Sequence, residues 1–191
     1  MTPAFQYAQV RGARLAYTST GVGSPVLWAH GMTSAAYTQE RAGQFDWRPV
    51  SGRHRLLRYD ARGHGRSTGG ADPVEYTWPE LAQDLLGLLD VVEPPIGPAR
   101  VDAIGSSMGT ATILCAAVAD PQRFRRLVLT TPPTCWETRA AANGVRLASA
   151  QLVEDEGVAA LAALSIDAPG SPALVNARRF ITPIRVRAAY L

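Results

Sequence analysis

The stretch VDAIGSSMGT, residues 101–110, constrains the fold of this chain more than any other. Val101, Ala103 and Ile104 make a short apolar run that ends at Gly105, as in a strand buried on both faces. From Met108 the sequence MGTATILCAAVAD is Ala-rich, suits a helix, and is stopped by Pro121. With a strand over 100–104 and a helix over 108–119, Ser107 falls at the turn between them. The frame Gly105-Ser106-Ser107-Met108-Gly109 then reads as a G-x-S-x-G elbow. Such a turn strains the serine backbone and lifts its hydroxyl above the carboxyl end of a sheet. The glycines two residues to either side are required because a Cβ there would collide with the neighbouring strand or helix. Ser106 lies outside the frame and is assigned no chemistry.

The rest of the chain alternates strand and helix patterns around this unit. FQYAQVRGARLAYTSTG alternates apolar and polar residues on both sides of Arg11-Gly12, as a hairpin does. VLWAHG, HRLLRYD and RRLVLTTPP are short apolar runs that each end in a loop, and residues 34–45 have the mixed polarity of a helix. TWPELAQDLLGLLDVV sets apolar residues at 81, 82, 85, 88, 89 and 92, the spacing of a helix. Thr77 and Glu80 at its start have capping-box spacing, with Pro79 tolerated in the first turn. This alternation predicts an α/β fold, a mostly parallel sheet with helices on both faces. After residue 134 the pattern changes. WETRAAANGVRLASAQLVEDEGVAALAAL is Ala-rich and helical, with Glu154, Asp155 and Glu156 as a solvated face, and no further strand of the earlier kind precedes Leu191.

Composition removes several chemistries. All 19 basic residues are arginine, so a Ser-Lys dyad, a Schiff-base lysine and a phosphate-binding lysine are excluded. The net charge of +3 includes the arginines of ARRFITPIRVR, which alternate with apolar residues as a solvated face does, so no nucleic-acid partner is expected. Cys115 and Cys135 form neither a disulfide framework nor a metal-ligand pattern; Cys115 reads as a small core residue, and no metal or cofactor is expected. The start MTPAFQYAQVRG lacks a basic segment followed by an apolar run, and no segment has the length of a membrane span. A cytoplasmic protein without a membrane partner is the expectation. Nothing in the sequence specifies an oligomeric state.

A second candidate feature is His30-Gly31-Met32, where the apolar run VLWA ends. A loop leaving a parallel strand beside the serine-bearing strand can aim backbone N–H groups at a substrate oxygen. The N–H groups of Met32 and Met108 are therefore the two expected oxyanion donors.

Taken together, WAHGMTSA, RYDARGHGRS and AIGSSMGTATILCAA resemble the α/β-hydrolase superfamily, in its esterase-like, lactonase-like and cofactor-free haloperoxidase-like branch. The resemblance covers roughly residues 12–135. It implies that Ser107 attacks a carbonyl carbon of a small-molecule ester or lactone, that the two N–H groups hold the oxyanion, and that water releases the acyl group. Serine in the elbow separates the chain from epoxide hydrolases and haloalkane dehalogenases, which place Asp there. The family orders its triad as serine, acid, histidine, yet His30, His54 and His64 all precede Ser107. His64, inside RGHGRS, is implied to be a structural hydrogen-bonding group, and neither His30 nor exposed-looking His54 is expected to act as base. Glu137 has no histidine to orient. Residues 1–134 would then be the N-terminal part of the hydrolase core and 135–191 an incomplete helical cap. The family's last strands would be missing and RRLVLTT left as a sheet edge. Two other readings go with this one: a receptor-like homologue that binds a small molecule without turnover, and a haloperoxidase or carbon–carbon hydrolase.

Overall fold

The computed structural model describes residues 4–41, 43–93, 100–133 and 136–167. Strands β1 (Gln6–Val10) and β2 (Ala13–Thr20) form the hairpin, turning at Arg11 and Gly12, which take φ of 46° and 80°. Then come β3 (Pro25–Ala29), the single turns α1 (Thr38–Arg41) and α2 (Arg48–Ser51), β4 (Arg55–Tyr59), and α3 (Trp78–Val92). The elbow region follows as β5 (Val101–Ser106), α4 (Met108–Ala119) and β6 (Phe124–Thr130). The six strands make one sheet in the order β1-β2-β4-β3-β5-β6. The pairs β3–β4, β3–β5 and β5–β6 are parallel, while β1–β2 and β2–β4 are antiparallel.

Register explains which residues form the core. Leu27 of β3 is aligned with Leu57 of β4 and Ala103 of β5, so the three share one face. On that face they join Leu81, Leu85 and Leu88 of α3 and Ile113 of α4 in one buried cluster. Each such leucine contributes about 1.5–3 kcal/mol on burial. Val26, Trp28 and Leu56 point to the opposite face, which is also buried. There the Trp28 ring lies 4.7 Å from Trp47, and the Arg58 guanidinium sits 3.9 Å over Tyr37. β6 is one of the two edge strands among the described residues, and its Val128 and Leu129 are 52% and 39% exposed. This is the apolar edge expected of RRLVLTT.

Two local expectations need correction. Residues 34–45 do not make one helix: the carboxylate of Asp60 captures the Ala36 N–H at 2.7 Å, and Gly43 takes a φ of 72°. Both remove the segment from regular helical geometry. The capping box is not formed either. The Thr77 hydroxyl donates back to the Val74 carbonyl at 3.0 Å, closing the 3-10 turn Pro73–Tyr76, and Glu80 turns to Arg11 instead.

A buried ion pair holds the loop after β4 against α3. Arg62 Nε and Nη2 donate to the two oxygens of Asp84 at 2.7 and 2.9 Å, and Nη2 also reaches the Arg11 carbonyl at 2.9 Å. Only 5% of the Arg62 side chain and 2% of the Asp84 side chain is exposed. The hydrogen bond it donates to Asp84 is the main reason the Arg62 pKa is raised.

The described residues among 40–45 and from 136 onward fall in a second compact unit. Its described helices are α5 (Trp136–Ala141), α6 (Asn143–Glu156) and α7 (Val158–Asp167). Gly157 at φ 85° separates α6 from α7, and residues 154–156 are exposed as expected. Cys135 and the ARRFITPIRVR arginines lie outside the described residues. Among the described residues no helix is long and apolar enough to cross a membrane.

Candidate active site

Ser107 stands between β5 and α4 with φ 51° and ψ −113°. A residue with a Cβ held in such a conformation stores about 1–3 kcal/mol, so its surroundings must enforce it. They do so through the end of β6. The Ser107 N–H and the Thr110 hydroxyl both donate to the Thr130 carbonyl, at 3.2 and 2.8 Å, and the Thr130 hydroxyl donates to the Gly105 carbonyl at 2.8 Å. The two glycines are fixed by contact. A Cβ on Gly109 would lie 2.1 Å from the Ala29 carbonyl oxygen of β3, and one on Gly105 would lie 2.7 Å from the Thr110 nitrogen of α4. Ser107 is half-buried at the carboxyl end of β5, and its hydroxyl caps nothing in α4.

The loop after β3 meets the elbow here. A Cβ on Gly31 would lie 3.6 Å from that of Ser107. His30, 1% exposed, donates from Nδ1 to the Gly31 carbonyl at 2.7 Å and accepts the Ala61 N–H on Nε2 at 3.0 Å. The second bond settles which ring nitrogen carries the proton. The Gly31 carbonyl and the Met32 N–H belong to one planar peptide unit, so the His30 bond sets the direction of that N–H. Met108 N–H, the first of α4, is one of the four amides that a helix leaves without an internal partner. Met32 follows Gly31 in the loop after β3 and Met108 opens α4 beside Ser107; Met32 is 60% exposed and Met108 is buried.

Burial holds the His30 pKa down to about 4. Its value in an unfolded chain is about 6.5, so between these two the unfolded state binds more protons. The contribution is fully present above about pH 6.5 and is lost as pH falls toward 4, where protonation also sets Nε2–H against the Ala61 N–H. The expected loss across this window is about 3 kcal/mol. Urea unfolding at about pH 7, 5.5 and 4.5 checks it: His30→Gln should flatten the slope, and an unchanged slope would assign the acid sensitivity to other groups.

The remaining histidines are held elsewhere. His64 places Nδ1 2.8 Å from the Arg62 carbonyl and Nε2 2.6 Å from the Met32 carbonyl, a structural bridge between the loops after β4 and β3. His54 is half-buried rather than exposed, and it immediately precedes β4, at the opposite end of the parallel strands from Ser107. Glu137 lies in α5 and is exposed. Cys115 is half-buried and packed against the core cluster, and burial pushes its thiol up, away from a reactive thiolate. Among the described residues no group of three or more His, Cys, Asp or Glu could hold a metal ion.

Three polar residues at the site were invisible to sequence reasoning. Gln39 is buried and donates to the Ser106 hydroxyl at 3.2 Å, and Ser106 shares a 3.1 Å hydrogen bond with Thr131. Ser106 was set aside, and neither Gln39 nor Thr131 carries a local signal, because the contacts join residues 67 and 25 positions apart.

Residues 21–156 match the family described as the alpha/beta hydrolase fold. The chain is 35% identical over 114 residues to an epoxide hydrolase of Caballeronia sordidicola, covering 60% of this chain and 32% of that protein. It is 32% identical over 108 residues to a putative carbamate hydrolase RutD of Variovorax paradoxus, covering 56% and 37% respectively. Among solved structures, the enol-lactonase from Burkholderia xenovorans superimposes with a TM-score of 0.71 at 25% identity, over 97% of this chain and 67% of that one. The matched part of the chain spans between 32% and 43% of the curated relatives' own length.

Proposed function

As the chain belongs to the alpha/beta hydrolase fold family, we propose that the whole protein hydrolyses small carbonyl substrates, esters or lactones, with Ser107 as nucleophile. The observation that carries this reading is the Ser107 hydroxyl itself. It sits half-buried on a strained turn, bonded to nothing in its own helix, beside a loop whose next N–H is aimed by His30. In the reaction, Ser107 Oγ adds to the carbonyl carbon and the carbonyl oxygen becomes an oxyanion that accepts from the N–H groups of Met32 and Met108. As the adduct collapses, the base that took the Ser107 proton returns it to the leaving alkoxide oxygen and an acyl-serine remains; the same base then deprotonates the water that releases the acid and passes that proton back to Ser107. The similarity to a protein named as an epoxide hydrolase does not transfer that activity, because the residue in the elbow is serine.

None of the three histidines can take the Ser107 proton. His30 donates from one ring nitrogen and accepts on the other, both with backbone groups; both His64 nitrogens are turned to backbone carbonyls, to which a neutral ring donates only once; and His54 lies at the far end of β4. We assign the base and the acid that orients it to sequence outside these 191 residues, in keeping with the share of its relatives that the chain spans. The same committed histidines support a second reading, a module that binds a carbonyl ligand without turnover.

A fluorophosphonate probe separates the two. Incubated with the whole protein, it should bond to the Ser107 oxygen, with the adduct mapped by peptide mass spectrometry and absent from Ser107→Ala. Saturable binding of an ester together with no adduct would overturn the hydrolase in favour of the binding module.

A further inference from the structure

The buried amide of Gln39 joins the two loops that meet at Ser107. Its Oε1 accepts the Gly31 N–H at 3.4 Å, and its Nε2 donates to the Ser106 hydroxyl at 3.2 Å. Chemistry fixes this orientation, since Gly31 offers only a donor at that point. Ser106 passes the connection to the Thr131 hydroxyl at 3.1 Å, just past β6, where Thr131 takes a φ of 43°. Gln39 and Ser106 are 9% and 4% exposed, so water is a poor substitute for either bond.

We infer that Gln39 is a positioning residue, which through Ser106 fixes the Gly31–Met32 loop at a set distance from Ser107 so that both N–H groups reach one oxyanion. The inference rests on Ser107 being the nucleophile. Two consecutive peptide planes decide where the Met32 N–H points. Gln39 holds the first through the Gly31 N–H, and the His30 ring holds the second through the Gly31 carbonyl. With both planes held, Gly31 has lost the rotational freedom a glycine otherwise keeps. Releasing one plane blurs the aim of the donor. Oxyanion donors act on the transition state, so the consequence falls on kcat and leaves KM nearly unchanged.

The test uses the whole protein with Gln39→Leu, Ser106→Ala and the double variant, assayed on a short-chain p-nitrophenyl ester and with the fluorophosphonate probe. Each single substitution should lower kcat by about 10-fold or more with KM within about twofold. Because both cut the same connection, the double variant should be no slower than the slower single one. Ser106→Thr, which keeps the hydroxyl, should retain the wild-type kcat, and it carries the test if Gln39→Leu does not fold. Unchanged kcat in folded Gln39→Leu or Ser106→Ala, or effects that multiply in the double variant, would overturn the positioning role while labelling at Ser107 leaves the hydrolase standing. A wild-type protein that does not react at Ser107 removes both.

Discussion

Replacing Ser107 by alanine in the whole protein should lower kcat on a short-chain p-nitrophenyl ester by about 10⁴-fold or more while leaving thermal stability almost unchanged. The two halves of this expectation have separate causes. On the proposed mechanism, loss of the hydroxyl removes the atom that attacks the substrate carbon, and what survives is the residual rate from substrate binding and the oxyanion donors. Stability stays within about 0.5 kcal/mol, because alanine keeps the Cβ that makes φ 51° costly and the Ser107 hydroxyl supports nothing in its own helix. Ser106→Ala is the contrast: it takes a buried hydroxyl from both Gln39 and Thr131. Parallel measurement of kcat and of the unfolding midpoint checks the pattern. Retained activity in Ser107→Ala would sink the nucleophile assignment.

The second large effect is on folding. Asp84→Asn should destabilise the chain by about 3 kcal/mol or more, since removing one partner of a buried ion pair leaves the other charge uncompensated. Arg62 keeps its bond to the Arg11 carbonyl and a longer contact of 3.3 Å to Glu75. Neither replaces a two-oxygen grip. Arg11 donates to the same Asp84 at 3.1 Å, but it is 41% exposed and also pairs with Glu80, so its share of the loss is small. Urea unfolding gives the size of the effect, and the double variant Arg62→Leu/Asp84→Leu tests its cause. With both charges gone, the apolar pair should recover much of the stability lost by Asp84→Asn. A loss below about 1 kcal/mol for the single variant would mean that solvent or Glu75 satisfies Arg62.

The strand-to-helix unit around Ser107 was readable because it is local. An apolar run, two glycines at fixed offsets and an Ala-rich helix stopped by proline are all contained in residues 101–121. The hairpin at Arg11-Gly12 and the helix Trp78–Val92 were readable for the same reason: their periodicity reports which side of each element is buried. The failures lie where a distant group outbids a local one. Asp60 takes the Ala36 N–H and prevents a full helix over 34–45, and Arg11 takes Glu80 from the expected capping box.

The sequence by itself determined the class of fold, the place of the elbow and the residue type at its tip, because backbone sterics and hydrophobic period act over a few neighbouring residues. Tertiary structure alone decided how that tip is surrounded. His30 became the ring that turns a peptide plane, His64 a bridge between two loops, and Gln39 the link between Gly31 and Ser106. Hydrogen bonds of this kind depend on distance and direction in space, and chain spacing carries no record of them.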